Sequence, residues 1–463
     1  MSQDTLAEFV EATAGKFAIP GAAVGVWVNG RAAYACHGVT SVDNPLPVDR
    51  DTIFVLGSVT KTFTATALMR LVAQGRVDLD APVRRYVPEL RLADERTAAS
   101  ITVMNLLNHT AGLGLGSIAE TGDGDDALAR YVAMLPELEL IGPPGARASY
   151  SQAGFNLIGR IIEKATGLTY ERAVASLLFE PLGLDHSYYL AGDVLPRRFA
   201  VGHNPGEDGA PTVALLRKRS RGDNPGGGLE SSAADLLRWA RFHLGDGHAR
   251  SGEQVLPAEM VQRMREPTVR LRGSSLGDEI GIAWFLRDVD GVRTVGHGGS
   301  TNGQFAELLT VPERDFAVVS LSNAGPGGIP FNQAVVRWAL EHHLGVVDRD
   351  PEPVPHDDAW AGEVVGNYEM DSMLVTVAGD ATQLTLEVDI KPEIRAAAET
   401  DLPPGYPPAA LGRLPGAGDE YILTEGGMKG QRGFFTRDEH GVVVGVDLAG
   451  RVATRRPEHR GKG

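Results

Sequence analysis

The strongest constraint on the fold is where strand and helix patterns fall along the chain. "AAVGVWVNGRAAYACHGV", near the N-terminus, has two apolar runs joined by Asn29-Gly30. That pair is a hairpin signal, because both turn positions favour residues that tolerate positive φ. Strand patterns then vanish and return only near residue 279. There "EIGIAWFLRDVDGVRTVGHGG" reads as a hairpin turning at Asp290-Gly291, and "QFAELLTV" and "FAVVSLSN" read as two more strands. Residues 76–275 carry mostly helical patterns and loops. Strands at both ends with helices between predict one antiparallel sheet assembled from both ends, with a mostly helical subdomain inserted in the middle.

Several helices have readable limits. Asp4 is a candidate cap for a first helix over about residues 5–15. "LGSVTKTFTATALMRLVAQG" opens near Ser58 and ends at Gly75, "FNLIGRIIEKATG" has helical apolar spacing and closes on Gly167, and "SSAADLLRWARFHLG" runs from a Ser232 cap to Gly245. "FNQAVVRWALEHHLG" is a last helix ending near Gly345. The acidic, proline-bearing "VVDRDPEPVPHDDAW" then has linker composition. Beyond it, alternating runs with glycine turns predict a small antiparallel β domain, with "TDLPPGYPPAALGRLPGAG" as a loop inside it. The expected division is a first domain over 1–347, a linker over 348–359 and a barrel-like all-β domain over 360–463.

The formal net charge is −16. An acidic surface argues against nucleic acid and anionic membranes as partners, since both reward basic patches. The one cysteine, Cys36, excludes an internal disulfide framework and a cysteine-rich metal site, and its apolar strand setting predicts a buried structural thiol. The N-terminus lacks a basic start followed by an apolar core, and no apolar run approaches the ~20 residues of a membrane helix. The expectation is a soluble cytoplasmic protein.

Three segments carry chemistry. Ser58 and Lys61 are three residues apart at a helix start, so their side chains share a face. A serine hydroxyl becomes a nucleophile when a neighbouring base takes its proton, and a lysine drawn toward a core can be that base. The Ser58 backbone N–H, at a helix start, could donate to a developing oxyanion. Read alone, the same residues suit a helix cap and a solvated lysine. Tyr150-Ser151-Gln152 precedes a helix and offers a phenol for proton relay. His297-Gly298-Gly299 ends a strand, where glycines let a substrate backbone approach and His297 can donate a hydrogen bond or carry charge near pH 7. His109 in "NHTAG", the acidic Asp123, Asp125 and Asp126, and the adjacent His342 and His343 form no metal-ligand pattern. No metal and no cofactor are expected.

In order and rough spacing, Ser58-Val59-Thr60-Lys61, Tyr150-Ser151-Gln152 and His297-Gly298-Gly299 resemble the serine β-lactamase and penicillin-binding-protein superfamily, and most of all its class C-like branch. "ITVMNLLNHTAGL", "PPGARASYS" and "GGGLESSAADLLRWA" are similar too, and the likeness covers about residues 7–345. The resemblance implies an α/β β-lactamase-like fold. It implies Ser58 as the acylated nucleophile, Lys61 and Tyr150 sharing base and acid work, and an oxyanion hole made by the N–H groups of Ser58 and Ser300. Gln152, His297, Gly298 and Gly299 would contact substrate.

Two residues depart from the superfamily pattern. Gln152 stands where asparagine is usual, and its longer amide is expected to intrude into the pocket. His297-Gly298 stands where Lys-Thr is usual in β-lactamases, which turns the expectation toward D-aminopeptidases and related peptidases or esterases. The expected function is a serine hydrolase acting through an acyl-enzyme on small ester, amide or short peptide substrates. The alternatives are a class C-like β-lactamase or penicillin-binding carboxypeptidase, an acyltransferase, and a non-catalytic penicillin- or peptide-sensing module.

Overall fold

The computed structural model describes residues 3–457, apart from 117–119, 215–219, 381, 398–401, 403–404 and 417. The first helix, α1 (Gln3–Lys16), starts before Asp4, which therefore lies in its first turn and does not precede it. Strands β1 (Gly21–Val28) and β2 (Arg31–Gly38) form the N-terminal hairpin, with Asn29 at φ 51° and Gly30 at φ 74° in the turn. This is the left-handed pair of a two-residue hairpin loop.

The helical part holds α2 (Thr60–Ala73), α3 (Gln152–Thr166) and α4 (Ala233–Leu244). Ser151 caps α3 by accepting from Gly154 N, and Gly167 ends it at φ 74°. Ser232 caps α4 by accepting from Asp235 N. Phe63 of α2 stacks on Trp239 of α4 with ring centroids 3.9 Å apart. That contact lies in the largest apolar core, which joins the helices to one face of the sheet.

The remaining sheet strands are β3 (Val269–Ser274), β4 (Gly277–Ile280), β5 (Phe285–Val289), β6 (Val292–Thr301), β7 (Gln304–Val311) and β8 (Phe316–Ser322). The order is β2-β1-β8-β7-β6-β5-β4-β3, so the N-terminal hairpin docks on the last strand. β1 pairs with β8 antiparallel, Ala22 opposite Ser322. Helix α5 (Gly328–Leu344) and α1 cover the other face in a second core. Cys36 is exposed, contrary to the expected buried thiol. β2 is an edge strand, and α4 packs on β1 and β8 without sealing that face of it.

Residues 345–357 carry no helix or strand. Helix α6 (Asp358–Val364), capped by the Asp357 carboxylate, falls partly within the stretch expected as linker. A closed antiparallel barrel follows: β9 (Gly366–Glu369), β10 (Met373–Gly379), β11 (Leu384–Ile390), β12 (Tyr406–Arg413), β13 (Glu420–Leu423), β14 (Arg432–Arg437), β15 (Val443–Leu448) and β16 (Arg451–Arg455). Its interior is a third apolar core. β12 lies inside the stretch expected to be a loop. Its two prolines sit at the bulge where pairing slips from Leu386–Ala409 to Val388–Tyr406, so the missing N–H groups break no regular ladder. No helix among the described residues is long and apolar enough to cross a membrane.

Candidate active site

Ser58 lies in a 3₁₀ turn, Gly57–Val59, that runs straight into α2. Thr60 Oγ1 donates to Gly57 O at 2.6 Å and accepts from Leu229 N at 3.0 Å, which fixes the turn. The strand before it is tied to the sheet by Val55 N donating to Gln304 Oε1 at 3.0 Å. The turn then meets β6 at a separation that tolerates no side chain. A Cβ on Gly57 would lie 2.7 Å from Ser300 N, and one on Gly299 would lie 2.0 Å from Leu56 O and 2.9 Å from Ser58 N. Gly57 also takes φ 53°. Two glycines about 240 residues apart in sequence thus bring the backbone nitrogens of Ser58 and Ser300 to adjoining positions.

Lys61 is fully buried. Its Nζ lies 3.3 Å from Ser58 Oγ, donates to Gln152 Oε1 at 2.7 Å and to Gly226 O at 2.6 Å, and sits 4.7 Å from the Tyr150 ring centroid. Gln152 lines the pocket, with its amide held in place. Lys61 holds its oxygen, and its Nε2 donates to Asp223 O at 3.4 Å. Space for the longer amide comes from Gly226, where a Cβ would lie 2.0 Å from Gln152 Nε2.

Tyr150 is buried, and its hydroxyl has no partner in good hydrogen-bonding geometry. Burial pushes its pKa up to about 12, against the downward pull of Arg451 and of an interaction with Ser58. Two histidines flank this phenol. His109 packs 4.5 Å from its ring and accepts from Ser151 N through Nδ1 at 3.1 Å, which positions the segment. His297 lies 6.3 Å from the Tyr150 ring and 4.6 Å from that of Phe285. Its Nδ1 donates to Gly298 O at 2.6 Å, which leaves Nε2 as a lone pair facing no partner among the described residues. Burial, then Lys61, lowers its pKa to about 3, so His297 is neutral at pH 7 and does not carry the charge considered for it.

The barrel contributes what the sequence reading missed. Tyr150 N donates to Gly450 O at 2.8 Å, and Arg451 places its guanidinium 4.7 Å from the centroid of the Tyr150 ring. The turn that carries it is braced by Gly450 N donating to Asp447 Oδ1 at 3.1 Å. No local pattern marks Arg451, since its relevance comes only from how the barrel docks. Ser58, Tyr150, Gln152, His297, Gly298, Gly299, Ser300 and Arg451 all line one cavity of about 570 Å³. Among the described residues, no group of three or more His, Cys, Asp or Glu side chains could hold a metal ion.

Residues 6–341 match the family model described as beta-lactamase. The chain belongs to the beta-lactamase family. Its members are serine hydrolases of the superfamily shared with penicillin-binding proteins. Penicillin-binding protein 4 of Amycolatopsis lactamdurans is 36% identical over 363 residues, 76% of this chain and 94% of that protein. The crystal structure of SurE, also solved with D-Leu, superposes with a TM-score of 0.73 at 26% identity and covers 98% of this chain and 99% of its own. A class C beta-lactamase from Rhodobacter sphaeroides gives a TM-score of 0.61 at 26% identity over 74% of this chain and 99% of its own. The beta-lactamase-like sheet and helices with an added barrel are therefore the fold that the sequence reading expected.

Two predictions follow from this geometry. Gly226→Ala drives a methyl into the Gln152 amide and should cost about 1–3 kcal/mol by overpacking. Adding Gln152→Asn should recover much of that loss in urea unfolding, and simple additivity of the two changes would contradict the packing account. An imidazole kept neutral in the fold gains a proton on unfolding below about pH 6.5. The stability from neutral His297 is therefore complete above that pH and is lost as pH falls toward 3. His297→Gln should flatten the fall of unfolding free energy between pH 6.5 and 5 by about one proton's worth. Parallel slopes for variant and wild type would contradict it.

Proposed function

We propose that the protein is an acyl-enzyme-forming serine hydrolase of small esters, amides or short peptides, with Ser58 as nucleophile. The observation that carries this reading is the set of partners around Lys61 Nζ. Its two short contacts, to Gln152 Oε1 and Gly226 O, use two N–H donors, and the longer third contact is to Ser58 Oγ. A neutral amine keeps both donors bonded and turns its lone pair to the Ser58 hydroxyl, the arrangement a general base needs.

The steps follow from that arrangement. Lys61 takes the Ser58 proton as Oγ bonds to the substrate carbonyl carbon, and the carbonyl π pair moves to oxygen. The Ser58 and Ser300 N–H groups receive that oxyanion. As the intermediate collapses, the bond to the leaving group breaks. Tyr150, a phenol at neutral pH, gives the leaving group its proton and is refilled from Lys61. Water repeats the sequence in reverse and releases the acid. Neutral His297 and the glycines of β6 present an uncharged edge to substrate, and Arg451 supplies positive charge beside the phenol.

A second reading is transfer of the acyl group to an amine: the structure of SurE was also solved with D-Leu, and the amine of an amino acid could take the place of water. Product analysis with D-Leu added as acceptor separates the two. For either reading, Ser58→Ala should lower turnover of an activated short-chain ester and of a D-amino-acid amide by at least about 10³-fold with the fold intact. Full activity in that variant would overturn the mechanism.

A further inference from the structure

The cavity does not end at Ser58. β5 pairs with β6 only as far as Gly296, so from His297 onward one edge of β6 is open. The cavity passes round this edge to the other face of the sheet, between α5 and the barrel. Gly296 and Gly298 line it, and a Cβ on Gly298 would lie 2.8 Å from Glu307 Oε2, so that carboxylate packs over the strand there. Its walls include Leu309, Val336 and Leu340 on one side and Val388, Ile390 and Met428 on the other, with Asn332, Gln333 and Gln431 as polar groups among them.

At the far end of this lobe three arginines meet two carboxylates. Arg287 makes a two-pronged contact with Asp348, at 2.7 and 3.1 Å. Arg337 contacts Asp350 and lies 3.4 Å from Asp348. Arg432, on β14 of the barrel, lines the same space, and its guanidinium makes no hydrogen bond or ion pair among the described residues. It is half-buried beside Arg287, and Asp278, Asp348 and Asp350 act on it only from beyond contact range. Glu307, across from Gly298, also lines the lobe; it makes no ion pair with Arg432, and burial pushes its carboxyl up to about 7. Within this lobe the positive charge of Arg432 is left without an acceptor among the described residues; Arg451, nearer Ser58 in the same cavity, has only the Tyr150 ring beneath it.

We propose that the barrel-side lobe is a substrate subsite in which Arg432 binds a carboxylate carried on an apolar peptide segment. A guanidinium matches a carboxylate with two parallel N–H donors, and a partly desolvated one gains more from that contact than a surface lysine would. The ligand's apolar side chains fill the space between α5 and the barrel. This site rests on the acyl-enzyme reading only for its role as a substrate subsite, and the test is arranged so that the two stand or fall separately.

The experiment is calorimetric titration of the full chain carrying Ser58→Ala, which binds without turnover. The probes are N-acetyl-Leu-Phe, its C-terminal amide, and N-acetyl-Leu-Glu-Phe-amide compared with its Gln counterpart. A free carboxylate should improve affinity by about tenfold. The first pair reads a C-terminal carboxylate and the second an acidic side chain. Adding Arg432→Gln should erase the preference, and Arg432→Lys should keep part of it; a preference lost in Arg451→Ala but kept in Arg432→Gln would place the carboxylate at Arg451 and overturn the assignment. Unchanged thermal unfolding would show that the Arg432 variants fold. No carboxylate preference in either pair at millimolar probe, or a preference that survives Arg432→Gln, would overturn the subsite. Failure of wild type to form an acyl adduct would instead count against the mechanism at Ser58 and would leave these binding results standing.

Discussion

The structure depends on one close backbone approach. The turn that carries Ser58 and the glycine-rich end of β6 pack so tightly that neither Gly57 nor Gly299 could gain a methyl group without displacing backbone. This contact joins the helical part of the chain to the C-terminal strands of the sheet, and it brings the Ser58 and Ser300 nitrogens to neighbouring positions. A substitution there cannot be absorbed by a rotamer change, because the atoms in conflict are carbonyls and amides and not flexible side-chain ends. The rest of the site is arranged around this fixed point. Lys61 follows one helical turn behind Ser58, and the start of α3 supplies Gln152 beneath it.

Much of this was legible in the sequence, because the signals were local. Asn29-Gly30 and Asp290-Gly291 are turn pairs whose φ requirements few other residues meet, and both hairpins form there. Gly167 and Gly345 end helices in the left-handed conformation, as their positions suggested. The failures came where tertiary context decides. Cys36 lies in an apolar run, yet an edge strand leaves it exposed. The proline-rich segment that reads as a loop forms β12, because a bulge in the barrel accepts residues without N–H groups. The effect of Gln152 could not be read, since the space it needs is granted by Gly226, 74 residues further on.

The electrostatics were the least visible part. A histidine in a glycine-rich strand end looks like a group that titrates near neutrality, but burial and Lys61 keep His297 neutral. Arg451 and Arg432 look like ordinary barrel arginines in sequence. They matter because the barrel docks over the mouth of the site and brings two arginines that lack a carboxylate partner into a cavity whose other arginines, Arg287 and Arg337, are paired with Asp348 and Asp350. The barrel therefore contributes to the chemistry of the pocket as well as enclosing it. Its turn at Ala449-Gly450 is hydrogen-bonded to the backbone of Tyr150 itself.

The most direct test of the account is intact-protein mass spectrometry after mixing with an activated short-chain ester, followed by peptide mapping of any adduct. The account predicts a transient acyl mass on wild type, located on Ser58, that decays as product continues to form and that is absent from Ser58→Ala. Product formation with the acyl group mapped to another residue, or at an undiminished rate in Ser58→Ala, would contradict it.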